Sequence, residues 1–151
     1  DVCSSDLYAA LPDDLKRRID PLFVIHDYVF SRSPIAPVHP NHAASLPPVM
    51  HPLVKTNPAH GERNLYVGSH ARSIVGMSGI SGRALLDDLL ERTTREEQIL
   101  RHAWQPGDTI IWDNRCILHR GTGYDASRWR RRLRQTRVIG AEKGLIHQIV
   151  P

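Results

Sequence analysis

The clearest hydrophobic repeat in the chain lies between Ser78 and Thr93. Leu85, Leu86, Leu89 and Leu90 recur three and four residues apart, behind serines at 78 and 81 that can cap a helix start. The spacing predicts an amphipathic helix ending near Thr93. A second repeat, Leu11, Leu15, Ile19 and Leu22, predicts a helix from Pro12 towards Tyr28. Pro12 suits its first turn, Asp13 and Asp14 favour its positive end, and Pro21 should kink or end it. Residues 31–52 are proline-rich without a sustained period, which predicts an irregular surface segment. Val49–Thr56 reads as a strand, NPAHGERN as a turn and LYVG as the hairpin partner. QILRHAW, TIIW and RRLRQTRVIG read as further strands, with Pro106-Gly107-Asp108 a tight turn between the first two. Strands, turns and two helices in this order predict a mainly β protein with helices, an antiparallel jelly roll.

Composition narrows the class. A chain of 151 residues suits one domain, and 40% hydrophobic with 24% charged content is that of a globular protein. No apolar run reaches the length a membrane helix needs, and no basic stretch followed by an apolar one opens the chain, so a cytoplasmic protein is expected. Two cysteines, Cys3 and Cys116, fit neither a metal-type spacing nor a disulfide framework. The net charge of +4 is a local property: Arg128, Arg130, Arg131, Arg132, Arg134 and Arg137 crowd one stretch, and the remainder is mildly acidic. That distribution favours an anion site or a basic face over a generally nucleic-acid-coating protein.

The candidate chemistry sits in WDNRCILHRGTGYD, residues 112–125, and in the arginine run after it. His119 ends the predicted strand pair built on TIIWDNRCIL, where an imidazole could project into a cleft and bind a borderline metal such as Fe(II). A core histidine satisfied by a backbone carbonyl is the competing reading. His39, His42 and His51 lie in the proline-rich segment, where a structural or exposed role is expected, and spacing makes no functional case for His26 or His70. Strand alternation puts Arg131, Leu133, Gln135 and Arg137 on one face, and Arg130, Arg132, Arg134, Thr136 and Val138 on the other. An inward arginine beside an apolar leucine suits a bidentate carboxylate clamp. A solvated edge strand guarded by charge, or a phosphate-binding nucleic-acid module, would use the same residues. Against the latter, no nucleic-acid motif accompanies the arginines, and Trp129 alone interleaves them.

LYVGSHARSIVGMSGISGRALLDDLL, HAWQPGDTIIWDNRCILHRGTGYD and RRLRQTRVIG, in that order, resemble the C-terminal half of the taurine dioxygenase / 2,4-dichlorophenoxyacetate dioxygenase (TauD/TfdA) family. The similarity runs from Tyr8 to about Lys143. It implies a partial double-stranded β-helix and an Fe(II)- and 2-oxoglutarate-dependent dioxygenase. Such an enzyme uses dioxygen to hydroxylate a small organic acid of the sulfonate or aryloxy type, releasing succinate and CO2. His119 matches the distal histidine of the iron-binding facial triad, and Arg131 the arginine that pairs with the far carboxylate of 2-oxoglutarate. Ungapped counting from His119 selects Arg130; counting back from Gly140 selects Arg131, and a loop absorbs an insertion better than a strand. The same register puts Gln135 where some relatives carry a substrate-binding arginine, which argues against sulfonate recognition in the taurine manner. The resemblance leaves room for a homo-oligomer.

The family's first two iron ligands form a His-x-Asp motif, and this chain has none; His26-Asp27 is adjacent and within the predicted helix. One ligand of three does not assemble the site, so the chain is expected to be an inactive piece of an enzyme, or else a non-catalytic interaction domain of the same fold. The opening DVCSSDL can be back-translated to gac gtg tgc tct tcc gat ct, which resembles the end of a common sequencing-library adapter. Residues 1–7 are therefore expected to be non-native, and residues 8–151 the C-terminal part of one dioxygenase domain.

Overall fold

A computed structural model describes residues 2–136 and 147–148. In chain order the elements are β1 (Val2–Cys3), α1 (Ser4–Ala10), α2 (Asp13–Ile19), β2 (Phe23–His26), α3 (Tyr28–Arg32), α4 (Pro40–Ser45), β3 (Val49–Pro52) and β4 (Val54–Thr56). There follow β5 (Arg63–Leu65), β6 (Ala71–Ile74), α5 (Gly79–Thr93), a 3-10 turn (Glu96–Gln98), β7 (Ile117–Leu118) and β8 (His147–Gln148). An antiparallel sheet runs β6-β2-β3-β8, with β4-β5 a separate hairpin and β1-β7 a short pair. Leu53 joins the two larger units: its amide donates to Leu22 O at 2.9 Å, and its carbonyl accepts from the Tyr66 amide at 2.7 Å.

The helix over 79–93 forms as its leucine spacing predicts. Ser78 Oγ accepts from the Ser81 amide at 3.2 Å, and Gly82, Leu85, Leu86, Leu89 and Thr93 are buried on one stripe. Gly82 faces β6 at ordinary packing distance, a Cβ there standing 3.5 Å from Ile74 N. Leu86 and Leu89 are fully enclosed with Ile19, Val24, Leu53 and Leu65, and this cluster is the centre of the core. Residues 2–7 take part in the fold, with Val2–Cys3 paired to Ile117–Leu118 and Leu7 buried.

Five expectations change. The helix from Pro12 stops at Ile19, ahead of Pro21, and Phe23–His26 is a central strand flanked by β3 and β6. His26 therefore ends a strand, and Asp27 caps α3 by accepting from the Phe30 amide at 3.1 Å. The proline-rich segment contains α3, α4 and β3, and the strand over 49–56 breaks at Leu53 into β3 and β4. The hairpin partner begins two residues earlier than LYVG, at Arg63, with Gly61 at φ +76 in the turn. QILRHAW (98–104) and TIIW (109–112) form no strand, nor does RRLRQTRVIG over 131–136, and its residues 137–140 lie outside the described residues. A strand needs a hydrogen-bonding neighbour. Here Ile111 and Leu133 are 93% and 52% exposed, so their apolar side chains are not covered by a facing surface among the described residues.

Candidate functional site

The WDNR segment folds as a compact turn. The Cys116 amide donates to Asp113 O at 3.2 Å, and Trp112 Nε1 donates to Asn114 Oδ1 at 2.8 Å. Arg115 grips Asp113 through Nε at 3.0 Å and Nη2 at 2.8 Å, while its amide donates to Oδ1 at 2.9 Å. These charged hydrogen bonds hold the Asp113 carboxyl down to about 2. Behind the turn, Ile117–Leu118 pairs with β1, and Leu118 packs against the core. His119 follows directly, so a core contact and a strand pair fix the backbone from which its imidazole projects. The ring is exposed and lies 5.0 Å from the Trp112 ring, centroid to centroid.

Past His119 the chain runs to Asp125, whose carboxylate accepts from the Ser127 amide at 3.0 Å and the Arg128 amide at 3.3 Å. This turn sends the chain back on itself. The Arg131 guanidinium lies against Gly121, where a Cβ would stand 3.2 Å from Nη1, and 5.9 Å from the centroid of the Tyr124 ring. The structure thus brings Arg131 to the loop two residues beyond His119. The inward face expected from strand alternation is not formed over 130–136: Arg131, Leu133 and Gln135 are all exposed, because that stretch is not a strand. Arg137 and Val138 of the two expected faces lie outside the described residues.

Among the described residues no group of three His, Cys, Asp or Glu is arranged to hold a metal ion. His26-Asp27 does not serve: Asp27 is 7% exposed and is occupied by the Phe30 amide and by Arg72 Nη1 at 3.0 Å. His60-Gly61-Glu62 has a His-x-acid spacing but closes on itself in the β4–β5 turn, with Nδ1 3.3 Å from Oε2. His119 is therefore not part of a three-residue metal-binding group among the described residues.

Two clusters were not legible from spacing. His26, His51 and Tyr66 pack together, with centroid distances of 5.6 Å between the histidines and 4.7 and 5.1 Å from each to the tyrosine. Burial, with Lys55 nearby, holds both imidazoles down to about 4. Next to them, Lys55, Asn57, Asn64, Tyr66, Asn114 and Arg115 line a cavity of about 250 Å³. Only the hairpin register, Lys55 opposite Asn64, reveals that these two side chains share a face.

The comparisons with known proteins agree with the fold. The family described as "Taurine catabolism dioxygenase TauD, TfdA family" matches residues 3–137, and the chain belongs to it. It is 40% identical over 134 residues to an alpha-ketoglutarate-dependent 2,4-dichlorophenoxyacetate dioxygenase of Cupriavidus pinatubonensis, covering 87% of this chain and 46% of that protein. It is 33% identical over 153 residues to an (S)-phenoxypropionate/alpha-ketoglutarate-dioxygenase of Sphingobium herbicidovorans, covering 93% of this chain and 52% of the relative. Among solved structures, AAD-2 in complex with Mn(II) and N-oxalylglycine superposes with a TM-score of 0.63 at 34% identity, over 69% of this chain and 42% of the other. The chain spans about half the length of the curated relatives it matches. No helix among the described residues is long and apolar enough to cross a membrane.

Proposed function

We propose that the chain is the C-terminal half of an Fe(II)- and 2-oxoglutarate-dependent dioxygenase that hydroxylates a small aryloxy-type organic acid, with His119 as the distal iron ligand. The observation that carries the reading is the WDNR turn. It presents His119 directly after Leu118, which packs against the core, and is followed by a loop against which Arg131 folds. The names of the relatives supply the aryloxy class, and N-oxalylglycine, an analogue of 2-oxoglutarate, occupies the related solved structure together with a metal.

Iron and 2-oxoglutarate would supply dioxygen activation, with succinate and CO2 as by-products. His119 contributes a neutral imidazole nitrogen. Arg131 contributes a planar fork of donors that matches the two oxygens of a carboxylate, and its place beside Gly121 puts that fork near the histidine. Gln135, lacking a charge, would give a substrate carboxylate or ether oxygen a neutral donor. The described residues hold one metal ligand, so this chain alone is inactive in the proposal. In the proposal the other two ligands, and the surfaces that would cover the exposed Ile111 and Leu133, come from an upstream half.

The test uses the full-length protein. His119→Ala should abolish iron-dependent succinate formation. Arg131→Ala should weaken 2-oxoglutarate binding by about 2–4 kcal/mol, the cost of losing a bidentate charged pair, whereas Arg130→Ala should leave it near the parent value. Unchanged turnover and affinity in the first two variants would refute the assignments.

A further inference from the structure

The His119 imidazole has an aromatic neighbour that is itself tied down. The His119 ring is exposed, and among the described residues it makes no hydrogen bond. A metal-binding histidine is ordinarily oriented by a hydrogen bond to its second ring nitrogen. Here the Trp112 ring lies against the imidazole instead, with centroids 5.0 Å apart and planes tilted by 57°. That separation and tilt fall in the range of attractive ring pairs. Trp112 is half-buried, and its Nε1 donates to Asn114 Oδ1 at 2.8 Å. Asn114 sits inside the turn that the Cys116 amide closes on Asp113 O at 3.2 Å, and the Arg115 amide adds a bond to Asp113 Oδ1 at 2.9 Å. The indole is therefore held at its polar edge by a turn that its own backbone enters, and it presents its ring to His119.

The size of the effect follows from the freedom the ring would otherwise have. A histidine side chain has three staggered wells at χ1 and a two-fold χ2, about six placements of the ring. A site that binds through one placement is weakened by the fraction of time the ring spends in the others. A free imidazole would thus bind a metal up to roughly sixfold less tightly than one already turned towards it. We infer that Trp112 is a positioning residue: its indole, tethered to Asn114, restricts rotation of the His119 imidazole. The restraint is a property of this chain as it stands. Its consequence for metal affinity rests on the proposed reading of His119, and the two parts of the experiment separate them.

The first part is NMR of the 151-residue chain with 13C-labelled histidine, free of metal, following the ring C–H signals of His119. His60, whose ring pairs with Glu62 in the β4–β5 turn, is the control. Trp112→Leu should raise the amplitude of fast motion of the His119 ring about twofold and remove its ring-current displacement, with His60 unchanged. Trp112→Phe keeps a ring face but cannot donate to Asn114, and should fall between parent and Trp112→Leu. Asn114→Ala should match Trp112→Phe, and the two combined should add nothing further, because both remove the same bond. The second part measures Mn(II) affinity of the full-length protein. Trp112→Leu should weaken it up to about sixfold, and Trp112→Phe should recover part of the loss. Unchanged His119 signals in Trp112→Leu, or an equal response at His60, would overturn the inference. So would unchanged Mn(II) affinity in Trp112→Leu where His119→Ala weakens it. Unchanged Mn(II) affinity in His119→Ala would instead refute the iron-ligand reading and leave the restraint to the NMR signals. Should Trp112→Leu fail to fold, Trp112→Phe and Asn114→Ala decide it on the same signals.

Discussion

Acid should unfold this protein earlier than its carboxylates alone require, and the cause lies at His26 and His51. Both rings pack against Tyr66 on the face of the sheet that also carries Val24, and His26 Nε2 is buried without a hydrogen-bond partner among the described residues. Burial is the main reason their imidazoles are held from 6.5 down to about 4, with Lys55 adding repulsion at both and His51 at His26. In the unfolded chain the same rings protonate near 6.5. Between pH 6.5 and 4 the unfolded state therefore binds protons that the native state refuses. Stability is full above that window and falls as pH drops through it. The displacement at His26 corresponds to about 3 kcal/mol. His51 is more open to water and shares one repulsion with His26, so the pair together contributes about 3–4 kcal/mol, not twice the single value. Asp20 and Asp113 are held low and lose their native-state pairings only as pH falls further, which leaves the upper part of the window to the histidines. Urea unfolding at pH 7 and pH 4.5 should show the loss in the parent chain, and it should shrink by more than half in a His26→Phe/His51→Phe variant. An unchanged pH dependence in that variant would refute the reasoning.

Leu86→Ala, at a fully enclosed position in the core, should cost about 2–5 kcal/mol in urea unfolding with the slope unchanged. By contrast, Ile111→Ala, at a side chain 93% exposed, should stay within about 0.5 kcal/mol in the 151-residue chain. Asp27→Ala removes the α3 cap and strips Arg72 of its buried carboxylate, and should lower stability by about 1–3 kcal/mol. Asp27→Asn keeps the capping oxygen and should recover part of that loss in the same melt.

The helix at 79–93 was legible because every local signal agreed: capping serines, a leucine stripe and no breaker. The β4–β5 hairpin was legible through its turn residues, though not its register, which depends on which side chains the core accepts. Phe23–His26 was misread as helix because Leu22 continued the helical period. The outcome was set by Pro21 and by two flanking strands that local spacing cannot reveal. The strands expected at 98–104, 109–112 and 131–140 carry strand-forming residues, yet none of their described residues lies in a strand, because a strand is a property of two segments and the sequence pattern describes one. The expectation for His119 rests on the WDNR block around it, since an isolated histidine reads equally well as a core residue. The Asn64 cavity was not legible at all. It assembles Lys55 and Asn64 from a hairpin with Asn114 and Arg115 from a turn some fifty residues on.

The central claim is that His119 binds iron in the intact enzyme. Its most direct test is the visible charge-transfer absorption that anaerobic Fe(II) and 2-oxoglutarate give when both are bound to the full-length protein. The parent should develop the band with one iron per chain, and His119→Ala should not develop it at any iron concentration that leaves the protein folded. A band of equal intensity in His119→Ala would contradict the account.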